Sequence, residues 1–196
     1  MDATVVFDLE TGGLDARRDD ILSIAASCNG KAFDAYVRNT QPIPAAASAV
    51  NGIFEADVAG AEPWSVVGPR FLRWVRETAG PRPVLVAYNG FRFDVPFLKA
   101  KFAALPPDAS LPVFEELFEA DAYVAASRHI SRCETPGGKM SQAAVYQALF
   151  GAPPAGQHSA RGDVDALDAI VRHDRLREVV MATARPLAGL VPAGRT

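Results

Sequence analysis

An Asn-Gly pair at positions 29 and 30 sits between two apolar runs, Ile21 to Ser27 and Ala32 to Val37. The tight two-residue turn of a β-hairpin needs positive φ at both central residues, which Gly adopts freely and Asn tolerates, so this pair predicts a hairpin. A further run, Thr4 to Leu9 (TVVFDL), is short, apolar and β-branched, and adds a strand ahead of it. The period then changes. After Pro63, the residues Trp64, Val67, Phe71 and Val75 recur at helical spacing, with Arg70, Arg73, Arg76 and Glu77 on other faces, until Pro81 and Pro83. Val84 to Tyr88 is again strand-like, and from Val95 the spacing of Leu98, Phe102 and Leu105 predicts a second helix ending before Pro106-Pro107.

Val113 to Ala126 fits a strand followed by a helix or one long helix, and we adopt the former. Ser131 to Lys139, with Pro136-Gly137-Gly138, reads as a loop. Ala143 to Phe150 and Asp163 to Val171 read as helices on either side of a turn-rich GAPPAGQ stretch, and Arg185 to Thr196 as a loose tail. The order β-β-β-α-β-α-(β)-α-α predicts an α/β fold in which helices cover a mixed sheet. At 196 residues, 49% of them hydrophobic, the chain suits one compact domain with a real core. No apolar run is long enough to span a bilayer and the N-terminus does not read as a signal peptide, so no membrane association and a cytoplasmic location are expected. Cys28 and Cys133 have neither metal-ligand spacing nor the density of a disulfide scaffold. A net charge of −3 argues against a protein that coats nucleic acid through a broad basic surface. It does not exclude an enzyme acting on nucleic acid, because a carboxylate site loaded with divalent cations is itself acidic.

The chemistry-bearing residues are scattered acids. In FDLETGGL, Asp8 and Glu10 are two apart, so on a strand they share a face, where two carboxylates repel. After the buried-looking Val5, Val6 and Phe7, the pair reads either as a divalent-metal site made of hard oxygen ligands or as two hydrated acids at a strand end. Asp94 precedes a helix with Pro96 in its first turn, which would suit a helix N-cap. Asp163 lies beside the apolar face defined by Leu167 and Ile170, where an acid needs a partner. His158 precedes the same helix, with Ser159 available as its cap.

Taken together, D-x-E on the first strand, N-G-x-x-x-D at a strand-to-helix junction and H-x-x-x-x-D at a late helix resemble the three exonuclease motifs of the DEDDh class of 3'-5' exonucleases, the DnaQ-like family. LVAYNGFRFDVPFL and HSARGDVDAL look closest to the three-prime repair exonucleases and their bacterial relatives, and VNGI resembles a segment that often reads V-H-G-I. The chain departs from the usual pattern at Tyr88 and Asn51, where His is common, and at Gly12, where Thr is frequent. The resemblance implies a ribonuclease H-like mixed sheet flanked by helices, an exonuclease domain over residues 1–180 and a tail over 181–196.

It also implies a mechanism. Asp8, Glu10, Asp94 and Asp163 would hold two divalent ions, Mg2+ or Mn2+, with Asp8 bridging both, and His158 would be the general base. Two-metal hydrolysis asks for such ligands, and an imidazole with an ordinary pKa of about 6.5 suits a group that takes and releases a proton each turnover. Thr11 and Gly12 backbone groups would hold the terminal nucleotide, with Leu14 wedged against the last base. Asn89 reads as a substrate contact or a turn former, and Arg92 as a substrate contact or a solvated charge. Arg128, Arg132 and Lys139 read as a solvated loop that could also follow a phosphate backbone. The expected substrate is the 3' end of a nucleic acid, DNA ahead of RNA, with release of nucleoside 5'-monophosphates. An exoribonuclease, a proofreading module working with a DNA polymerase and a binder without catalysis are the alternatives, and a homodimer or polymerase partner stays open.

Overall fold

The computed structural model describes residues 3–106, 111–155 and 159–190. Strand β1 (Thr4–Thr11) is followed by β2 (Ile21–Cys28) and β3 (Lys31–Tyr36). Asn29 and Gly30 make the turn between β2 and β3 with φ of 51° and 76°, as the Asn-Gly pair predicts. Two short helices, α1 (Ala45–Asn51) and α2 (Glu55–Val58), which the periodicity did not reveal, precede α3 (Trp64–Ala79) and β4 (Val84–Ala87). Next come α4 (Asp94–Ala103), β5 (Phe118–Asp121), α5 (Ala122–His129) and α6 (Gln142–Phe150). The chain continues through α7 (Ala160–Arg172), α8 (Arg177–Met181) and β6 (Arg185–Pro186). The ambiguous segment is thus a strand running directly into a helix.

The strands form one mixed sheet in the order β3-β2-β1-β4-β5-β6. β1 pairs antiparallel with β2 and parallel with β4, β5 continues the parallel pairing, and β6 closes the edge antiparallel to β5. Side-chain alternation along β1 sends Val5, Phe7 and Leu9 into a core with Phe71, Val75 and Leu98 of α3 and α4. Val6 points the other way, into a core with Val84, Val86, Val164, Leu167 and Ile170, so α7 lies over the opposite face of the sheet. Parallel strands covered on both faces read as continuous apolar runs, which explains why VLVA in β4 is wholly buried.

Residues 185–190 differ from the loose tail expected over Arg185 to Thr196, of which 191–196 lie outside the described residues. Phe118 and Glu119 pair with Pro186 and Arg185, the Leu187 amide donates to the Leu117 carbonyl at 2.7 Å, and Leu187 and Leu190 are buried. Two isolated leucines among small and polar residues carry no periodic signal, so only the tertiary contact reveals their role.

Candidate active site

β1 outruns its neighbour. Its parallel register with β4 ends at Val6 opposite Val86, while β1 continues to Thr11 beside β2. Asp8 and Glu10 lie in this overhang, opposite Ala25 and Ser23, on the face that α7 covers. A bulge between Glu10 and Thr11 ends the regular pairing. Helix α7 is capped by Ser159, whose hydroxyl accepts the Gly162 amide at 3.2 Å, and Asp163 stands in its first turn. Gln142, the first residue of α6, donates its side-chain amide to the Asp163 carbonyl at 2.6 Å, fixing that turn against the neighbouring helix.

Carboxylate oxygens of Asp8, Glu10 and Asp163 lie within 4.8 Å of one another. Burial raises the Asp8 pKa well above the carboxylate range, and the charges of Asp94, Glu10 and Asp163 push it further. Burial, with Asp163 and Asp94, raises Glu10 to about 7. Ionising Asp8 and Glu10 together is therefore costly, and added positive charge would relieve that cost. The donors are hard oxygens, which fit Mg2+ or Mn2+.

Asp94 is only 3% exposed and stands outside the 4.8 Å group, yet close enough to act on Asp8 electrostatically. It does not cap its helix: Phe93 holds the cap position without a side-chain bond, and Asp94 is the first helical residue. Its Oδ1 instead accepts the Leu9 amide at 3.2 Å, a donor on the stretch of β1 that β4 does not reach. Burial raises the Asp94 pKa to about 7 and the charge of Asp121 adds to this, while the bonds from its own and the Leu9 amide oppose it.

The turn that delivers Asp94 is built from unusual backbone. Asn89 has φ of 63°, and a Cβ on Gly90 would come within 2.6 Å of the Ala87 Cβ. Asn89 therefore shapes the turn, while Arg92 is exposed. Asp121, at the end of β5, accepts the Asn89 amide on Oδ1 and the Phe91 amide on Oδ2, both at 3.0 Å. Its Oδ1 also takes the Tyr123 and Val124 amides at the start of α5. The sequence reading missed Asp121. An Asp directly before a helical run signals an N-cap, but nothing local signals its reach to residues 89–91.

The loop after β1 places Leu14 in solvent, 87% exposed. The Gly12 amide donates to the Asp20 carbonyl at 2.9 Å, and the Thr11 hydroxyl to the Gly13 carbonyl at 2.6 Å. Asn51 is buried, donates to the Thr11 carbonyl at 3.1 Å and so ties α1 to the end of β1. The Tyr88 hydroxyl donates to the Met140 carbonyl at 2.7 Å. Arg128, Arg132 and Lys139 are exposed, and Arg132 donates to the Gly138 carbonyl at 2.8 Å within its own loop. His158 lies outside the described residues.

The exonuclease family RNase_T matches residues 5–170 of this chain. A DNA polymerase III subunit epsilon-like protein of Rhodobacter capsulatus is 34% identical over 171 residues, which are 83% of this chain and 22% of that protein. The PolC-type DNA polymerase III of Streptococcus mutans is 35% identical over 132 residues, 64% of this chain and 9% of the polymerase. The chain therefore spans about a fifth or less of these curated relatives. Among solved structures, the zinc-bound complex of E. coli exonuclease I with single-stranded DNA superposes with a TM-score of 0.74 at 17% identity, covering 91% of this chain and 41% of that one. Exonuclease I with a dT13 oligonucleotide gives 0.72 at 18% identity, covering 93% and 43%. At that identity the likeness is one of fold, and the fold is the ribonuclease H-like sheet that the sequence motifs imply.

Proposed function

The chain belongs to the DnaQ-like 3'-5' exonuclease family, and from that membership we propose that it hydrolyses phosphodiester bonds at the 3' end of DNA, by DEDDh chemistry, releasing nucleoside 5'-monophosphates. The observation that carries this reading is the convergence of Asp8, Glu10 and Asp163 within 4.8 Å, with the buried Asp94 beside them. Two divalent ions held by these four carboxylates, Mg2+ or Mn2+, would activate a water molecule and stabilise the leaving 3' oxygen. Asp94, anchored on the Leu9 amide, keeps its remaining lone pairs for the site. His158, five residues before Asp163, takes a proton from the attacking water. As oxygen adds to phosphorus, the P–O3' bond breaks, and the departing 3' oxygen is protonated from solvent. The exposed Leu14 packs against the terminal base, beside Thr11 and Gly12.

DNA is favoured over RNA because the relatives named above are DNA polymerase III proteins. The same names support a second reading, a proofreading module working with a DNA polymerase. Single-stranded DNA and RNA of one sequence, 5'-labelled and incubated with Mg2+ or Mn2+, test the proposal. The expected result is a ladder shortening from the 3' end, faster on DNA. Faster RNA degradation makes the chain an exoribonuclease, and release of no mononucleotide with either metal discards hydrolysis. Stimulation only on adding a polymerase favours the proofreading module.

A further inference from the structure

We propose that Asp121 is the positioning residue for Asp94: it clamps the Asn89–Phe91 turn to the start of α5, so that the next helix opens with Asp94 facing β1. The proposal rests on the reading of Asp94 as a metal ligand. Asp121 is a carboxylate only 1% exposed, and among the described residues no Lys or Arg pairs with it. A buried carboxylate must be satisfied by hydrogen bonds, and here backbone amides supply them. Tyr123 and Val124 donate at 2.8 and 3.3 Å, which an ordinary N-cap explains. Asn89 and Phe91 donate at 3.0 Å each from a separate segment, which capping does not explain.

The clamped turn is one that would not hold its shape unaided. Asn89 is a non-glycine residue with positive φ, and Phe93, just before Asp94, has φ −127° and ψ −76°, outside the helical region. Asp121 fixes the amides of Asn89 and Phe91, and the Arg92 and Phe93 amides bond back to the Asn89 carbonyl, so the path to Asp94 is determined. Asp121 is itself held, since its amide donates to the Thr183 hydroxyl at 2.9 Å, which donates in turn to the Val180 carbonyl. A connected set of hydrogen bonds thus links the segment after α8, the β5–α5 junction, the β4–α4 turn and the Leu9 amide.

Asp121→Ser in the full chain separates the two roles, because Ser caps a helix nearly as well as Asp but cannot reach both amides of the turn. Val75→Ala opens a cavity in the core under α3, on the face of the sheet opposite the carboxylates, and serves as the stability control. Mn2+ binding is measured on the chain without substrate by calorimetry, alongside Tm and the Mn2+ concentration giving half-maximal nuclease rate. Residues that orient metal ligands change affinity or activity about 10–100-fold, so Asp121→Ser should weaken Mn2+ binding on that scale, while Val75→Ala, with a Tm loss at least as large, leaves it unchanged. Asp121→Asn keeps the Oδ1 acceptor and turns an N–H toward the Phe91 amide, so it should show a smaller loss in the same direction, and it decides the matter if the Ser variant does not fold. Undiminished Mn2+ binding in these variants, or equal weakening in Val75→Ala, overturns the positioning role. Wild-type chain that binds no Mn2+ overturns instead the metal-site reading on which the role stands.

Discussion

At the scale of single residues, the acidic cluster sets function against stability. Glu10 titrates near 7 in the folded chain against 4.5 unperturbed, so through that window the folded state keeps a proton that the unfolded chain has released. Stability of the metal-free protein should accordingly fall as pH rises from about 4.5 to about 7, and thermal melts in chelator across that range check the sign. Metal binding displaces the same protons, so Mn2+ affinity should rise with pH over the same interval. Asp8→Asn removes one charge from the crowd; it should raise the metal-free Tm at pH 8 and lower the hydrolysis rate by about 10²–10³-fold, the usual scale for losing one electrostatic contact to a reacting group. Higher activity, or a lower metal-free Tm, would count against the cluster as a cation site. Leu14 is 87% exposed, so Leu14→Ala should leave stability within about 0.5 kcal/mol while slowing removal of the terminal nucleotide in a single-turnover assay. Gly13 earlier in that loop is more closely packed: a Cβ there would meet the Asp19 carboxylate at 2.1 Å, so that side chain and its bond from the Asp15 amide would have to shift.

At the scale of elements, the decisive features are places where one segment completes another. β1 overruns β4, and Asp94 accepts the Leu9 amide in the overhang. β6 is only two residues long, yet Arg185 bonds the Glu119 carboxylate at 2.9 Å and lies 3.7 Å from the Phe91 ring centroid. Glu119 is 2% exposed and among the described residues its Oε2 meets no partner, so it depends on this bond. Arg185→Ala should therefore cost about 1–3 kcal/mol, the penalty of an unsatisfied buried polar group, or a Tm drop of roughly 3–10 °C by calorimetry. Restored stability in the double variant with Glu119→Gln would locate the loss in that pair. The long periodic elements α3, α4, α6 and α7 were legible from the sequence, as was the hairpin. The helices α1, α2 and α8 were not, since segments of four to seven residues hold too few turns to show a helical period.

At the scale of the whole molecule, the sheet joins carboxylates that lie 155 positions apart in sequence, from Asp8 to Asp163. A divalent ion that binds only this folded arrangement should stabilise it by about 2.7 kcal/mol at a hundredfold excess over Kd, seen as a Tm rise that chelator reverses. Among the described residues no helix is long and apolar enough to cross a membrane. The sequence by itself determined the alternating strand and helix periods, the hairpin turn, the order of the three acidic motifs and hence the family, because each is a local pattern or a spacing. Only the tertiary structure decided that Asp94 meets the Leu9 amide rather than capping its helix, that Asp121 spans two segments and that Leu187 and Leu190 join the core. Those are contacts between residues far apart in the chain, and one residue type serves several partners equally well, so the partner is settled only by where the sheet ends.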